Sequence, residues 1–190
     1  VDDGKLLWTH TEPLVVHGKH ELNSFSSSTP AVDADRVYFL WSTAKQLMLL
    51  ALDHDGRQVW RKPVGAFQAK WGGGSSPIVV EDVVVVGNDN QARSSLMGLN
   101  PLNGETLWEH QRRPGGPASY ATPAVYRDQN GSTQVLFTST THGFTSLEPS
   151  SGKLNWETNG VFQSRCVSSP VIFGDLVFST AGQGGGGRQA

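Results

Sequence analysis

The sequence predicts an all-β protein, and three observations carry that expectation. Glycine is abundant, with 22 residues in a chain of 190, well above its usual share. Charged residues make up 17% of the chain, below the usual quarter or so, and no stretch has the apolar stripe of an amphipathic helix. A short pattern, Gly-x-x-x-Trp, recurs four times at nearly constant spacing.

The four copies are Gly4-Lys5-Leu6-Leu7-Trp8, Gly56-Arg57-Gln58-Val59-Trp60, Gly104-Glu105-Thr106-Leu107-Trp108 and Gly152-Lys153-Leu154-Asn155-Trp156. Their tryptophans are 52, 48 and 48 residues apart. A second marker runs in phase with them. Ser/Thr-Pro occurs at Thr29-Pro30, Ser76-Pro77, Thr122-Pro123 and Ser169-Pro170, spaced by 47, 46 and 47 residues. An aspartate follows each proline five residues later, at Asp35, Asp82, Asp128 and Asp175. Fixed periods of this length mark a repeat architecture.

Each unit reads as four strands. The first follows Ser/Thr-Pro, where proline costs no ladder donor. The aspartate marks the next turn, since its side chain can accept bonds from nearby backbone. The second strand is an apolar run: Val37-Tyr38-Phe39-Leu40, Val83-Val84-Val85-Val86, Val135-Leu136-Phe137 and Leu176-Val177-Phe178. The third is Leu47–Leu52, Ser95–Leu99 or Gly143–Leu147. A glycine turn then leads into the fourth strand, which holds the tryptophan; such turns need positive φ. Four short strands per forty to fifty residues describe a β-propeller of four-stranded antiparallel blades. The strands of a sandwich do not recur in this phase.

The expected organisation is one propeller segment over 1–190. It has a part-blade at 1–16, a fourth strand with Trp8, then blades at about 17–64, 65–112 and 113–160, and a part-blade at 161–190. The third blade carries a longer first turn between Arg127 and Gln134. That makes about four blades or part-blades, the expectation being a segment of a ring of about seven or eight, within the usual propeller range.

Charge and cysteine content exclude several functions. The net charge is −2, and the only basic doublets are Arg61-Lys62 and Arg112-Arg113, so no nucleic-acid partner is expected. No apolar run approaches the eighteen or so residues of a membrane span. The one cysteine, Cys166, excludes an internal disulfide and a cysteine-cluster metal site.

The stretches 51–60, 98–108 and 146–156 resemble the PQQ-like propeller repeat, whose pattern is Ala-x-Asp-x-x-Thr-Gly-Lys-x-x-Trp. That family includes eight-bladed quinoprotein dehydrogenases and BamB-like scaffold proteins of the bacterial envelope. The resemblance implies an extracytoplasmic location, periplasmic or envelope-associated, and a blade-docking role for Trp8, Trp60, Trp108 and Trp156. A buried tryptophan removes on the order of 200 Å² from water. That is worth roughly 5 kcal/mol at most, against a domain's net stability of about 5–15 kcal/mol. Structure alone therefore accounts for these residues.

The quinone enzymes of the family carry a calcium site, a catalytic aspartate and in many cases an adjacent cysteine pair, which one cysteine cannot form. The carboxylates Asp35, Asp82, Asp128, Asp175, Asp53 and Glu148 fall on repeat turns and form no separate constellation. His17 and His20 have no fixed third ligand and read as a solvated loop. Asp53-His54-Asp55-Gly56 begins like a calcium loop but lacks the remaining carboxylates, and reads as the hairpin turn. Trp71-Gly72-Gly73-Gly74 and the run Gly184–Gly187 lack the helix start and Gly-Lys-Ser/Thr of a phosphate loop. Cys166 has no activating base and reads as a small buried residue.

The informative residues precede each Ser/Thr-Pro. In a propeller the innermost strand lines the central channel, so the loop entering it opens on one face. Phe25, Lys70, Trp71, Tyr120 and Arg165 lie in these stretches, and aromatic and arginine side chains are typical binding anchors. Trp71 stands outside the Gly-x-x-x-Trp pattern. Three functions follow. The favoured one is a non-enzymatic, BamB-like scaffold that binds a protein partner of the cell envelope through these face loops, with no cofactor. The others are a fragment of a dehydrogenase dependent on PQQ and calcium, and a propeller that binds carbohydrate or another small ligand.

Overall fold

The computed structural model describes residues 3–21, 24–25 and 27–182; the run Gly184–Gly187 and Asn23 lie outside them. Three four-stranded antiparallel sheets follow one another along the chain. The first holds β1 (Ala31–Val32), β2 (Arg36–Ser42), β3 (Gln46–Asp53) and β4 (Gln58–Ala66). The second holds β5 (Ile78–Val80), β6 (Val83–Asn88), β7 (Ser95–Leu99) and β8 (Thr106–Gln111). The third holds β9 (Ala124–Arg127), β10 (Thr133–Ser139), β11 (Gly143–Leu147) and β12 (Leu154–Glu157). A hairpin of β13 (Val171–Phe173) and β14 (Leu176–Phe178) ends the described chain. Each strand pairs only with its sequence neighbours, as in a propeller blade.

The two middle strands of the second sheet are apolar on both faces because a sheet packs on each side. Val84, Val86, Met97 and Leu99 join Tyr38, Leu40, Leu49 and Trp60 of the first sheet in one core. Val83, Val85 and Leu96 join Trp108 and Val135, Phe137 and Leu147 of the third sheet in another. The twofold alternation of side chains sends alternate residues of β6 and β7 to opposite interfaces. Hence these strands read as unbroken apolar runs. The outermost strand β8 is buried mainly at Trp108.

Three of the four repeat tryptophans reach the turn of the following unit. Trp8 Nε1 donates to the His54 carbonyl at 2.8 Å, Trp60 Nε1 to that of Pro101 at 2.8 Å and Trp108 Nε1 to that of Pro149 at 2.7 Å. The indole also lies on the repeat glycine. A Cβ on Gly56, Gly104 or Gly152 would come within 2.6, 2.8 or 2.4 Å of Trp8, Trp60 or Trp108. All three glycines have positive φ, between 68° and 81°. The glycine thus serves both its own turn and the preceding unit's tryptophan. Trp108 is held from the other side too, where a Cβ on Gly98 would stand 2.3 Å from it. The β3–β4, β7–β8 and β11–β12 ladders each shift register beside the tryptophan. A bulge there bends the strand locally and re-aims a side chain.

Three expectations need correction. The stretch around Trp8 forms no strand, because no described third strand stands beside it to pair with. Trp156 is 37% exposed, against 8% for Trp60 and 7% for Trp108. Its indole meets Gln134 Oε1 of its own sheet at 3.3 Å, and among the described residues no third-to-fourth-strand turn lies on it. In the first turn, Asp33 rather than Asp35 accepts from backbone, at 2.8 Å from Asp35 N and 2.7 Å from Arg36 N. Tyr38 Oη also donates to Asp33, at 2.6 Å. Burial pushes the Asp33 carboxyl up, but these donors outweigh it and hold the group below its usual range. The phased aspartates therefore do different jobs. Asp82 sits at φ 59° next to Glu81 at φ 47° in a two-residue hairpin, the geometry of a type I′ turn. Asp128 accepts from Asn130 N and Ser132 N at 2.9 and 2.8 Å.

Candidate functional site

The connectors that precede β5, β9 and β13 converge at the second and third sheets. The β4–β5 connector supplies Ala69, Lys70 and Trp71. The β6–β7 loop supplies Gln91, and the β8–β9 connector supplies Pro117, Ala118 and Tyr120. The segment after β12 supplies Gln163, Ser164 and Arg165. These residues line one open pocket of about 260 Å³. Four of the five candidate face residues, Lys70, Trp71, Tyr120 and Arg165, therefore meet. Phe25 does not. It lines a separate cavity of about 440 Å³ with Trp8, His10, Leu14, Phe39 and Trp41.

Trp71 is the centre of the pocket. Lys70 Nζ stands 4.4 Å from its ring centroid and the Arg165 guanidinium 6.0 Å, both within cation–π reach. The His20 ring meets the indole edge-on at 5.0 Å. His17 packs on Phe25 at 5.0 Å. The two histidines lie in a connecting stretch, as expected, but as half-buried ring partners and not as solvated side chains. Burial pushes the Tyr120 phenol up, against the opposing pull of the Arg165 guanidinium.

The backbone beneath the pocket is pinned. Tyr120 N donates to the Cys166 carbonyl at 2.9 Å, and Gly182 N donates to the Arg165 carbonyl at 3.0 Å. Cys166 bridges to Ala181 and is fully buried. Burial and the nearby Asp89 charge push its thiol up to about 11. It is a packing residue, and not a thiolate at neutral pH.

Sequence reasoning missed a polar cluster between the second and third sheets. The Arg112 side chain is fully buried and pairs with Asp89 at 2.5 Å. It also donates to Thr145 Oγ1 across the interface. Thr145 in turn donates to Glu157 at 3.2 Å, and His142 Nδ1 lies 2.9 Å from the same carboxylate. Burial and then the Arg112 charge lower the titration of the nearby His110. The only signal in the sequence was position. Arg112 lies four residues beyond Trp108, at the end of β8, where a long side chain reaches the next sheet.

Calcium can be tested against these residues. Calcium takes about six to eight oxygen ligands, carboxylates among them. The pocket around Trp71 offers two amides, a serine hydroxyl and a phenol, and its two charges, Lys70 and Arg165, are both positive. It does not suit a dication. Among the described residues no group of three or more histidine, cysteine, aspartate or glutamate side chains could hold a metal ion. No described helix is long and apolar enough to cross a membrane.

The sheet order, the phased tryptophans and the face pocket define a β-propeller segment built from PQQ-like repeats. A family model described as outer membrane protein assembly factor BamB matches residues 1–188, and the chain belongs to that family. Solved structures with the same fold include BamB from Moraxella catarrhalis, at 15% identity and a TM-score of 0.58. That match covers 82% of this chain and 44% of that one. A quinohemoprotein alcohol dehydrogenase from Comamonas testosteroni aligns at 16% identity and a TM-score of 0.56, over 75% of this chain and 29% of that one. A europium-containing methanol dehydrogenase aligns at 13% identity and 0.54, over 69% and 31%. The chain thus spans less than half the length of each of these proteins. By sequence it has no match among the curated proteins.

Proposed function

We propose that this propeller segment is part of a non-enzymatic scaffold of the bacterial envelope, which binds a protein partner through the pocket of Lys70, Trp71, Tyr120 and Arg165. One observation carries the reading: connectors of successive sheets bring an indole, a phenol and two cations into one open pocket. Aromatic and arginine side chains in a pocket are the residues that dominate protein–protein binding energy. At about 260 Å³ the pocket is smaller than the roughly 300–1,000 Å³ of small-molecule sites. It suits a side chain of a larger partner better than a free cofactor. Family membership supports the same reading, because the matching family model is described as an assembly factor.

The test is site-specific photo-crosslinking in cells with the full-length gene product. A photoreactive residue at Gln163, in the pocket, should give a discrete protein adduct. The same residue at Asn103, on the exposed turn between β7 and β8, should give none. Adding Trp71→Ala should abolish the Gln163 adduct while leaving thermal stability nearly unchanged. Tight binding of PQQ with calcium and dye-linked alcohol oxidation by the full-length protein would establish the dehydrogenase instead. Saturable binding of a soluble glycan at Trp71, without a protein adduct, would establish the small-ligand propeller.

A further inference from the structure

Resting on that reading, we infer that the pocket around Trp71 recognises an acidic side chain, Asp or Glu, on an exposed segment of the protein partner. Charge complementarity carries the inference. The pocket lining contains Lys70 and Arg165 and no carboxylate. Among the described residues no acidic group stands in an ion pair with either cation. Asp89, two residues before the pocket's Gln91, is committed to the buried Arg112 at 2.5 Å. Two positive charges therefore face one small volume in a chain whose net charge is −2. Like charges held close without a counter-ion are an unfavourable arrangement that an incoming carboxylate relieves.

The neighbouring groups fit the same ligand. Arg165 presents a planar fork suited to a bidentate carboxylate, and Lys70 a mobile point charge. Gln91, Gln163 and Ser164 add neutral donors at the rim. Trp71 and Tyr120 supply apolar walls for the methylene stem of the ligand. Part of the ordering cost is already met. Arg165 stands between two fixed points, the Gly182 amide on its own carbonyl and the Tyr120 amide on the carbonyl of Cys166. A preorganised loop loses less entropy on binding.

A phage-displayed library of random dodecapeptides, panned on the full-length protein, tests this directly. Peptides whose capture depends on Trp71 should be enriched in Asp and Glu. For the best of them, synthesised free, Arg165→Gln and Lys70→Gln should each weaken binding about tenfold or more, the loss of one charge-assisted hydrogen bond. Arg165→Lys should restore part of it, and replacing the peptide's acids by Asn and Gln should abolish it. Affinity should fall as salt rises through 0.5 M, as expected for exposed charges. Unchanged melting temperatures in the variants separate lost recognition from lost folding. Peptides that depend on Trp71 but carry no acidic bias would overturn the acid recognition and leave the scaffold reading standing. Capture that never depends on Trp71 would overturn both.

Discussion

Trp108 and Trp156 occupy the same place in consecutive units, yet they have different fates. Both follow the repeat glycine by four residues and both sit on the fourth strand of their sheet. Trp108 is 7% exposed, lies between Gly98 and Gly152, and bonds the Pro149 carbonyl at 2.7 Å. Trp156 is 37% exposed, and its indole bonds a glutamine of its own sheet at 3.3 Å. The two local sequences prepare the same strand and the same bulge. What differs is the unit that follows. The third sheet gives Trp108 a turn to lie on, whereas β13–β14 leaves Val171, Phe173, Leu176 and Phe178 exposed and gives Trp156 none. Burial of the repeat tryptophan is therefore a property of the interface and not of the repeat, as expected where each unit contacts its neighbours.

The sharpest break in this comparison is Trp108→Ala, which should cost about 3–5 kcal/mol, the usual loss for a buried tryptophan. Chemical denaturation measures it, and a loss near 1 kcal/mol would show that the interface does not hold the segment together. Asp89→Ala should be nearly as damaging, at about 3 kcal/mol or more, because it strands the buried Arg112 charge. Replacing the pair together, with Arg112→Met and Asp89→Leu, should recover much of that loss in the same denaturation series. Next comes Gly152→Ala. Its positive φ and the 2.4 Å approach to Trp108 should together cost about 1–3 kcal/mol. The same change at Gly131, which also has positive φ but meets nothing within 4 Å, should cost about 1 kcal/mol, so the difference isolates the contact. The smallest effect belongs to Trp156→Ala, at about 1 kcal/mol or less. A loss as large as that of Trp108→Ala would show that Trp156 is covered in solution.

Much of the fold was legible before any coordinate. Period-48 tryptophans, phased Ser/Thr-Pro and the apolar middle runs located twelve strands, because each reflects a local requirement: a turn of positive φ, a strand start without a donor, a strand buried on both faces. The aspartate marker was legible only as a turn. Asp33 took the capping role from Asp35 because it sits one residue after β1, where its carboxylate reaches both following amides and the Tyr38 hydroxyl. The candidate site was legible in part. Position before Ser/Thr-Pro picked out Lys70, Trp71, Tyr120 and Arg165, and it picked out Phe25 by the same rule. Nothing in the linear pattern separates Phe25 from the rest. The structure separates it by cavity: Phe25 lines the space shared with Trp8 and Trp41, and the others line the pocket around Trp71.

The sequence by itself determined the repeat, the strand order and which residue types punctuate each unit, because these depend on contacts within about fifty residues. Only the tertiary structure decided which tryptophans are buried, which connectors meet, and that Arg112 bridges two sheets. Those outcomes depend on how one sheet seats on the next, and side chains from different units come together there that no spacing along the chain relates. The repeat glycine shows both levels at once. Its positive φ belongs to its own turn, while its missing Cβ belongs to the tryptophan of the unit before it.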